Sequence, residues 1–227
     1  MAAKKKIMIV DDDTGVVEAI KGILEFEGYD VITAYTGGDA LTGIEKEKPD
    51  LILLDWNLPG ISGIKICEKI RKKENTDKIS IIMLTARQDP EDEIVGLEAG
   101  ADDYITKPYN PDILTARVKA GLRKKYKKDS AELKSGGISL NPEKHTVKAG
   151  GTPVSLWPKE FDLLYHLMKN EDYALSREDL LESVWGYNYL GTSRAIDATI
   201  KRLREKLGSY ADRIKTVKGI GYKFSEQ

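Results

Sequence analysis

The most constraining stretch of this chain is residues 51–60, which read Leu-Ile-Leu-Leu-Asp-Trp-Asn-Leu-Pro-Gly. Four consecutive apolar residues are enough for one fully buried strand and too few for an isolated helix. The Pro59-Gly60 pair is a turn signal, so we expect the strand to end at Asp55. In parallel α/β sheets both faces are covered, and ligands bind at the carboxyl ends of the strands. A buried carboxylate at such an end requires a cationic partner.

The first 123 residues alternate short apolar runs with stretches of helical periodicity. Because right-handed connections between parallel strands place helices on both faces, we predict an α/β fold with a doubly wound, five-stranded parallel sheet. The predicted strands are residues 7–10, 31–34, 51–55, 79–84 and 104–105. The predicted helices are residues 15–28, 40–44, 64–70, 92–98 and 111–124.

Polar side chains follow four of these strands. Asp11 and Asp12 follow the first, Asp55 ends the third, Thr85 follows the fourth and Lys107 follows the fifth. In a parallel sheet all of them lie at one edge. Three carboxylates do not stay ionised side by side without a cation, and Mg²⁺ is a small hard ion that prefers oxygen ligands. With a lysine and a hydroxyl added, the set suits a phosphoryl group transferred to Asp55.

This ordered set resembles the receiver domain of two-component response regulators. The residues that carry the resemblance are Asp11-Asp12, Asp55, Thr85-Ala86 and Lys107-Pro108. It implies a flavodoxin-like receiver, with strand order 2-1-3-4-5, over residues 1–123. Asp55 would be the phosphoacceptor, a histidine kinase the phosphoryl donor, and the Lys107-Pro108 bond is expected to be cis. The Mg²⁺ ligands would be Asp11 (through water), Asp12, Asp55 and the backbone carbonyl of Asn57.

The resemblance also implies a switch. Thr85 would turn its hydroxyl towards a phosphoryl oxygen, Tyr104 would move into the vacated space, and Lys107 would contact the phosphoryl group. The surface of the fourth helix, fifth strand and fifth helix would then pair two receivers into a homodimer.

One departure from the family affects this dimer. Family members usually have Lys or Arg on the fourth helix where this chain has Glu93, so an acidic residue would meet an acidic residue across the interface. We therefore predict a weak or rearranged dimer, although Arg117 remains able to pair with Asp102 or Asp103.

Charge changes sign along the chain. Residues 1–123 hold 17 basic and 23 acidic side chains, whereas residues 192–223 hold 9 basic and 3 acidic ones. Between them, residues 124–135 contain a run of lysines without apolar periodicity, which predicts a linker. An acidic front half is thus joined to a basic end, and basic stretches are typical of nucleic-acid binding.

Residues 136–227 are predicted to form a separate domain. Short β-like runs between Asn141-Pro142 and Gly150-Gly151 turns predict an antiparallel platform. Helices are predicted to open at Pro158, at Ser176 and at about Ser193, and the last strands to form a hairpin around Gly219. The third helix has an apolar stripe at helical spacing, consisting of Ile196, Ile200, Leu203 and Leu207.

This half resembles the winged-helix α+β DNA-binding domain of the OmpR/PhoB family. The motifs that carry the resemblance are residues 160–164, 176–181, 184–186, 200–204 and 218–222. The resemblance implies promoter DNA as a partner, with the third helix in the major groove, and RNA polymerase contact at residues 186–191. DNA contacts would come from Arg194, Ala198, Thr199, Lys201, Arg202, Thr216 and Lys218. The family usually has Thr or Ser where this chain has Trp157, so a side-chain cap of the first helix is lost.

Cys67, the only cysteine, excludes an internal disulfide, and the apolar run at residues 7–10 is too short for a signal peptide or a membrane span. We therefore expect a cytoplasmic protein without a membrane partner. The resemblance implies a non-enzymatic, phosphorylation-controlled transcription regulator whose receiver assists only its own phosphoryl transfer and dephosphorylation. Two alternatives remain: a phosphatase that works through its own aspartyl phosphate, and a DNA-binding protein insensitive to phosphorylation.

Overall fold

The computed structural model describes residues 4–73, 76, 78–86, 95–122, 131–186, 189 and 192–226. The chain divides into two compact units, Met1–Arg123 and Lys124–Gln227. Among the described residues, none of the helices combines the length and apolar character needed to cross a bilayer.

The first unit is a parallel sheet with helices on both faces. Its strands are β1 (Lys6–Val10), β2 (Asp30–Ala34), β3 (Leu51–Asp55), β4 (Ser80–Thr85) and β5 (Asp103–Thr106). Its helices are α1 (Thr14–Phe26), α2 (Gly37–Glu47), α3 (Gly63–Arg71), α4 (the helical residues 95–98) and α5 (Pro111–Leu122). The strand order is β2-β1-β3-β4-β5 and every neighbouring pair is parallel, so the predicted doubly wound fold is confirmed. Residues 92–94 of the predicted fourth helix, which include Glu93, lie outside the described residues.

The central strand β3 contributes to a hydrophobic core on each face of the sheet. Leu51 and Leu53 pack with residues of α1 and α5, whereas Ile52 and Leu54 pack with residues of α2 and α3. All four side chains are fully buried. Burying one aliphatic side chain stabilises a protein by about 1.5–3 kcal/mol. Asp55 therefore follows a rigidly packed strand.

A buried ion pair joins α3 to the segment before β5. Arg71 Nη2 lies 2.7 Å from Asp102 Oδ2, and neither side chain is more than 3% exposed. The guanidinium also donates to the carbonyl oxygens of Gly100 and Ile79, both at 2.7 Å, and Asp102 accepts from the Ile81 backbone N–H. Because each charge has several hydrogen bonds, burial of the pair is tolerated.

In its described residues, the second unit contains two antiparallel sheets and three α-helices. One sheet has the order β6-β7-β8-β9, and the other has the order β10-β12-β11. The strands are β6 (Leu133–Ser135), β7 (Ile138–Asn141), β8 (Thr146–Ala149), β9 (Thr152–Val154), β10 (Leu175–Ser176), β11 (Ile214–Val217) and β12 (Gly221–Phe224). The helices are α6 (Pro158–Lys169), α7 (Arg177–Trp185) and α8 (Arg194–Leu207), followed by a 3₁₀ helix (Gly208–Arg213). This arrangement agrees with the predicted winged-helix α+β domain.

The structure corrects the end of the predicted linker. Leu133, Lys134 and Ser135 form β6 and pair antiparallel with β7. The run of lysines before them concealed the strand, because a three-residue strand is too short to show a period-two pattern. This part of residues 124–135 belongs to the platform sheet.

Helix α6 begins where the sequence predicts, although its N-cap residue is Trp157. The indole accepts no capping hydrogen bond. Instead, the carboxylate of Glu160 accepts from the Trp157 backbone N–H at 2.8 Å, which supplies one half of a capping box. In α7 both halves are present, since Ser176 Oγ accepts from the Asp179 N–H and Asp179 accepts from the Ser176 N–H.

Candidate functional site

The carboxyl edge of the parallel sheet collects the polar residues predicted to act together. Val10 is paired with Leu54, and Thr85 is paired with Thr106. The residues that follow these strands therefore lie side by side at the carboxyl edge of the sheet. Asp11 and Asp55 are 1% and 4% exposed. Two carboxylates are thus buried at adjacent strand ends, where their charges must be offset.

Lys107 supplies the offsetting charge. Its Nζ lies 2.6 Å from Asp11 Oδ2 and 2.6 Å from Asp55 Oδ1. The ammonium is therefore shared by the two strand ends, 96 and 52 residues away along the chain. The peptide bond between Lys107 and Pro108 is cis, as the resemblance implies.

The acid–base properties of the pair follow from burial and charge. Burial raises the pKa of Asp55 above its ordinary value, with a further contribution from the neighbouring charge of Asp11, and Lys107 only partly opposes this. Burial disfavours the charge on Lys107, but the hydrogen bonds and charges of Asp11 and Asp55 outweigh it and raise the lysine pKa. Asp55 therefore carries its negative charge at an energetic cost that a second cation would reduce.

The residues present fit a divalent cation. Carboxylate oxygens of Asp11, Asp12 and Asp55 all lie within 4.8 Å of one another, and Asp12 is exposed to solvent. With one lysine against three carboxylates, the cluster is net negative when ionised, and its donors are the hard oxygens that Mg²⁺ prefers. The backbone N–H of Asn57 donates to Asp55 Oδ2 at 2.7 Å, which fixes the orientation of the carboxylate.

Asp13, the third acidic residue after β1, has a different role. Its carboxylate accepts hydrogen bonds from the backbone N–H groups of Gly15 at 2.8 Å and Val16 at 3.2 Å, which caps α1. Its own backbone N–H donates to Asp11 Oδ1 at 3.0 Å. Of the three acidic residues after β1, Asp13 therefore caps a helix, whereas Asp11 and Asp12 belong to the acidic cluster.

The two predicted switch residues lie on neighbouring strands. Thr85 ends β4 and is 4% exposed. Tyr104 in β5 is half-buried against the core that contains α2 and α3 residues, and the guanidinium of Arg117 lies 5.9 Å from its ring centroid. Arg117 also forms an ion pair with Asp103 at 2.6 Å, with both side chains 7% exposed.

Sequence reasoning missed two glycines that define the site. Gly63, the first residue of α3, lies so close to β3 that an added Cβ would stand 2.0 Å from the carbonyl oxygen of Asp55. Its backbone N–H donates to the Trp56 carbonyl at 2.9 Å. In α4, a Cβ added at Gly96 would lie 3.1 Å from the Trp56 indole. Glycine at the first position of the next helix after β3 was the available signal.

The predicted DNA-binding residues separate into two groups. Arg194 and Lys201 are exposed on α8, Ala198 is at the edge of the buried face, and Thr216 and Lys218 are exposed on the β11–β12 hairpin. The four exposed side chains are accessible to a ligand, whereas Ala198 is buried at 9% exposure.

Thr199 and Arg202 are a correction to the predicted DNA surface. Thr199 is fully buried and its hydroxyl donates to the carbonyl of Ala195, while the Arg202 side chain is 9% exposed and contacts Glu160. Thr199 lies beside the apolar stripe on the helical wheel, whereas Arg202 lies about 130° from its centre and is buried through its contacts with Glu160 and Trp157. We leave them out of the proposed DNA surface.

A cationic cluster at the base of the hairpin was not predicted. The guanidinium groups of Arg177 and Arg204 lie 5.0 and 5.7 Å from the Tyr222 ring centroid. Asp197 accepts from both Arg177 Nε at 2.8 Å and the Tyr222 hydroxyl at 2.7 Å. Arg204 donates to the Ile214 carbonyl, which ties α8 to the hairpin. Burial, followed by the bond to Asp197, raises the pKa of the Tyr222 hydroxyl.

The predicted RNA polymerase loop falls largely outside the described part of the chain. Of residues 186–191, the structure describes Gly186 and Tyr189. Gly186 is the C-cap of α7, and the ring of Tyr189 lies 5.9 Å from that of Trp185.

Two family models match this chain. The response regulator receiver domain matches residues 7–119, and the transcriptional regulatory protein C-terminal domain matches residues 151–224. The two matches fall on the two compact units.

Full-length relatives share both units. The chain is 45% identical over 223 residues to the phosphate regulon transcriptional regulatory protein PhoB of Pseudomonas aeruginosa, and the match covers 97% of each. Among solved structures, a RitR mutant matches with 30% identity and a TM-score of 0.76, over 98% of this chain and 100% of that one. DrrB of Thermotoga maritima, described as an OmpR/PhoB homologue, matches with 35% identity and a TM-score of 0.53, with the same coverage.

Proposed function

This chain belongs to the OmpR/PhoB family of two-component response regulators, and we propose that phosphorylation of Asp55 controls its binding to promoter DNA. The observation that carries the proposal is the geometry around Asp55. Its carboxylate is buried at a strand end, paired with Lys107 at 2.6 Å and grouped with the carboxylates of Asp11 and Asp12.

In the proposed reaction, a carboxylate oxygen of Asp55 attacks the phosphorus of a histidine kinase phosphohistidine. The new O–P bond forms as the N–P bond breaks, and the imidazole leaves with the bond electrons and takes up a proton. The Asn57 N–H holds the carboxylate in place. Lys107, already charged between Asp11 and Asp55, is positioned to neutralise a phosphoryl oxygen.

Mg²⁺ is the proposed cofactor. Asp11, Asp12 and Asp55, together with the backbone carbonyl of Asn57, are the residues that would hold it. When bound, the ion would offset the negative charge that gathers on the phosphoryl oxygens during transfer. Thr85 and Tyr104 are the proposed switch residues, since they lie on β4 and β5 next to this edge.

Receiver pairing through α4, β5 and α5 is the proposed output, and we expect the pair to be weak. Arg117 and Asp103 already neutralise each other within one chain, and Asp102 is held by Arg71. Glu93 adds a repulsive charge by the family pattern. Sedimentation of the wild type and Glu93→Lys, each with and without beryllofluoride, tests this. We expect the variant to associate more tightly, and a tight wild-type dimer abolished by Glu93→Lys would contradict it.

Pairing of receivers would raise the occupancy of tandem DNA half-sites, because it increases the effective concentration of the second DNA-binding domain. The proposed surface consists of the exposed residues Arg194 and Lys201 of α8 and Thr216 and Lys218 of the hairpin, with Ala198 at its edge. We also propose that residues 186–191 contact RNA polymerase. A cytoplasmic location is the last part of the proposal, and the free thiol of Cys67 agrees with it.

The decisive experiment is incubation with phosphoramidate and Mg²⁺, followed by intact-mass measurement. The wild type should gain one phosphoryl group and Asp55→Asn none. Asp112→Asn, which alters an exposed carboxylate at the start of α5, should behave like the wild type. A phosphoryl group retained by Asp55→Asn would disprove the assignment.

The two alternatives give different results. A phosphatase would turn over a small phosphate ester repeatedly, whereas a response regulator should show no more than slow loss of its own phosphoryl group. A DNA-binding protein insensitive to phosphorylation would bind a promoter duplex with the same affinity before and after phosphoramidate treatment. We expect phosphorylation to increase that affinity.

A further inference from the structure

Helix α8 is joined to the first turn of α6 through a fully buried carboxylate. Glu160 is 0% exposed, and its Oε1 lies 3.2 Å from Arg202 Nε while its Oε2 lies 2.6 Å from Lys206 Nζ. Arg202 and Lys206 are four residues apart and therefore lie one above the other on α8. Two cations on one line of this helix thus share a single anion.

The indole of Trp157 covers the same two cations. Lys206 Nζ lies 3.8 Å from its ring centroid, and Arg202 Cζ lies 5.2 Å away. Cations within about 6 Å of an indole centroid are attracted by its negative face. The aromatic face therefore adds a second attraction to that of the Glu160 carboxylate. We call Trp157, Glu160, Arg202 and Lys206 the α6–α8 cluster.

The α6–α8 cluster fixes the rotation of α8 about its own axis. Arg202 also donates to the hydroxyl of Thr199 at 3.1 Å, so it is held at both ends of its guanidinium. Successive residues in a helix are rotated by about 100°, so fixing Arg202 determines the direction of Lys201 beside it. Arg194 and Lys201, both exposed, lie on the opposite side of the helix from the apolar stripe.

We propose that Trp157 and Glu160 are positioning residues for DNA recognition, which hold α8 through Arg202 and Lys206 so that Arg194 and Lys201 face the DNA. The inference rests on the proposed DNA-binding function. The proposal gives the indole of Trp157 a role other than capping, since its side chain makes no capping bond to α6 but contacts Lys206 of α8.

The test compares Trp157→Thr with the wild-type full chain. Threonine supplies a side-chain cap for α6 but removes the aromatic face. The thermal stability of the domain should therefore change little, while the contacts of residue 157 with Arg202 and Lys206 of α8 are weakened. The readout is the specificity ratio, the Kd for an unrelated duplex divided by the Kd for a duplex that the wild type enriches from a randomised pool. Binding to unrelated DNA depends on phosphate neutralisation, which the substitution leaves unchanged.

We expect Trp157→Thr to lower the specificity ratio about tenfold and Trp157→Phe to lower it less, since a phenyl ring attracts cations more weakly than an indole. A merely structural role would reduce the folded fraction and weaken both affinities equally, leaving the ratio unchanged. Val147→Ala, which creates a cavity in β8 of the platform sheet, is the matched control for that effect, and its ratio should equal the wild-type value.

The outcomes separate the inference from the function on which it rests. If the wild type enriches no sequence, the proposed DNA-binding function fails. If it does enrich one and Trp157→Thr keeps the full specificity ratio, the positioning role alone is overturned. Should Trp157→Thr not fold, Lys206→Met provides the same test from the other side of the cluster, because it keeps the aliphatic stem and removes the cation.

Discussion

Gly63→Ala tests how closely α3 holds the backbone of the phosphoacceptor. The added Cβ would lie 2.0 Å from the Asp55 carbonyl oxygen, 3.0 Å from its carbonyl carbon and 3.2 Å from Met83 Cε. Separations below 3.0 Å are essentially never observed for a Cβ, so the helix and the strand end must move apart by at least about 1 Å. The nearest atoms belong to the backbone and cannot rotate away.

A displacement of this size affects both stability and chemistry. Overpacking a core position typically costs about 1–3 kcal/mol in the free energy of unfolding. Misplacing a reacting group by about 1 Å can slow a reaction about 100-fold. We therefore expect Gly63→Ala to lose about 1–3 kcal/mol in urea denaturation and to accept a phosphoryl group from phosphoramidate about 100-fold more slowly, as measured by intact mass over time.

Two control variants separate these effects. Gly22→Ala makes the same chemical change at an exposed position inside α1 with no atom within 4 Å, and it should be slightly stabilising with a normal phosphorylation rate. Ile70→Val, in the last turn of α3, should lose about 0.5–1.5 kcal/mol and also keep the normal rate. A normal phosphorylation rate in folded Gly63→Ala would refute the argument, because the contact would then not control the position of Asp55.

Three further predictions follow from the contacts described. Burial raises the pKa of Asp55, so the folded chain keeps that proton to higher pH, and the free energy of unfolding falls as pH rises between the ordinary and the raised pKa. Asp55→Asn should therefore be more stable than the wild type above this pH interval and equally stable below it. Urea titrations at several pH values, without divalent ions, measure this difference. Lys201→Ala should weaken binding to an enriched duplex and reduce its salt dependence, measured by fluorescence anisotropy, whereas an equal change at the platform residue Lys148 should not. Arg71→Leu should lower the free energy of unfolding by about 3–5 kcal/mol, because Asp102 stays buried without the Arg71 cation. If the double variant Arg71→Leu/Asp102→Leu regains stability, the buried charge of Asp102 is the cause of the loss. An additive loss in the double variant would contradict this explanation.

The receiver was largely predictable from the sequence because its strands are short apolar runs buried on both faces. Each predicted strand agrees with the structure to within about one residue at either end. The convergence of Asp11, Asp55 and Lys107 followed from the parallel topology alone, since parallel strands bring their carboxyl ends to one edge. No sequence pattern predicts a tertiary contact such as the one between Gly63 and the backbone of Asp55.

The DNA-binding unit was less predictable. The apolar stripe of α8 predicts the buried face correctly, yet the resemblance to the family and the position of Arg202 away from the stripe both place it on the DNA side. Its burial depends on Glu160, 42 residues earlier, and on the Trp157 ring, and neither contact has a local signal. Strand β6 was missed because three residues are too few for a periodic pattern.

Strand β6 also shortens the linker between the two units of the chain. Helix α5 ends at Leu122 and β6 begins at Leu133, so ten residues separate them and reach at most about 35 Å when fully extended. A longer reach would require the hydrogen bonds between β6 and β7 to break. If receivers pair as proposed, this linker limits how far apart the two DNA repeats can lie. Mechanical load on the linker would fall first on β6, at the edge of the platform sheet.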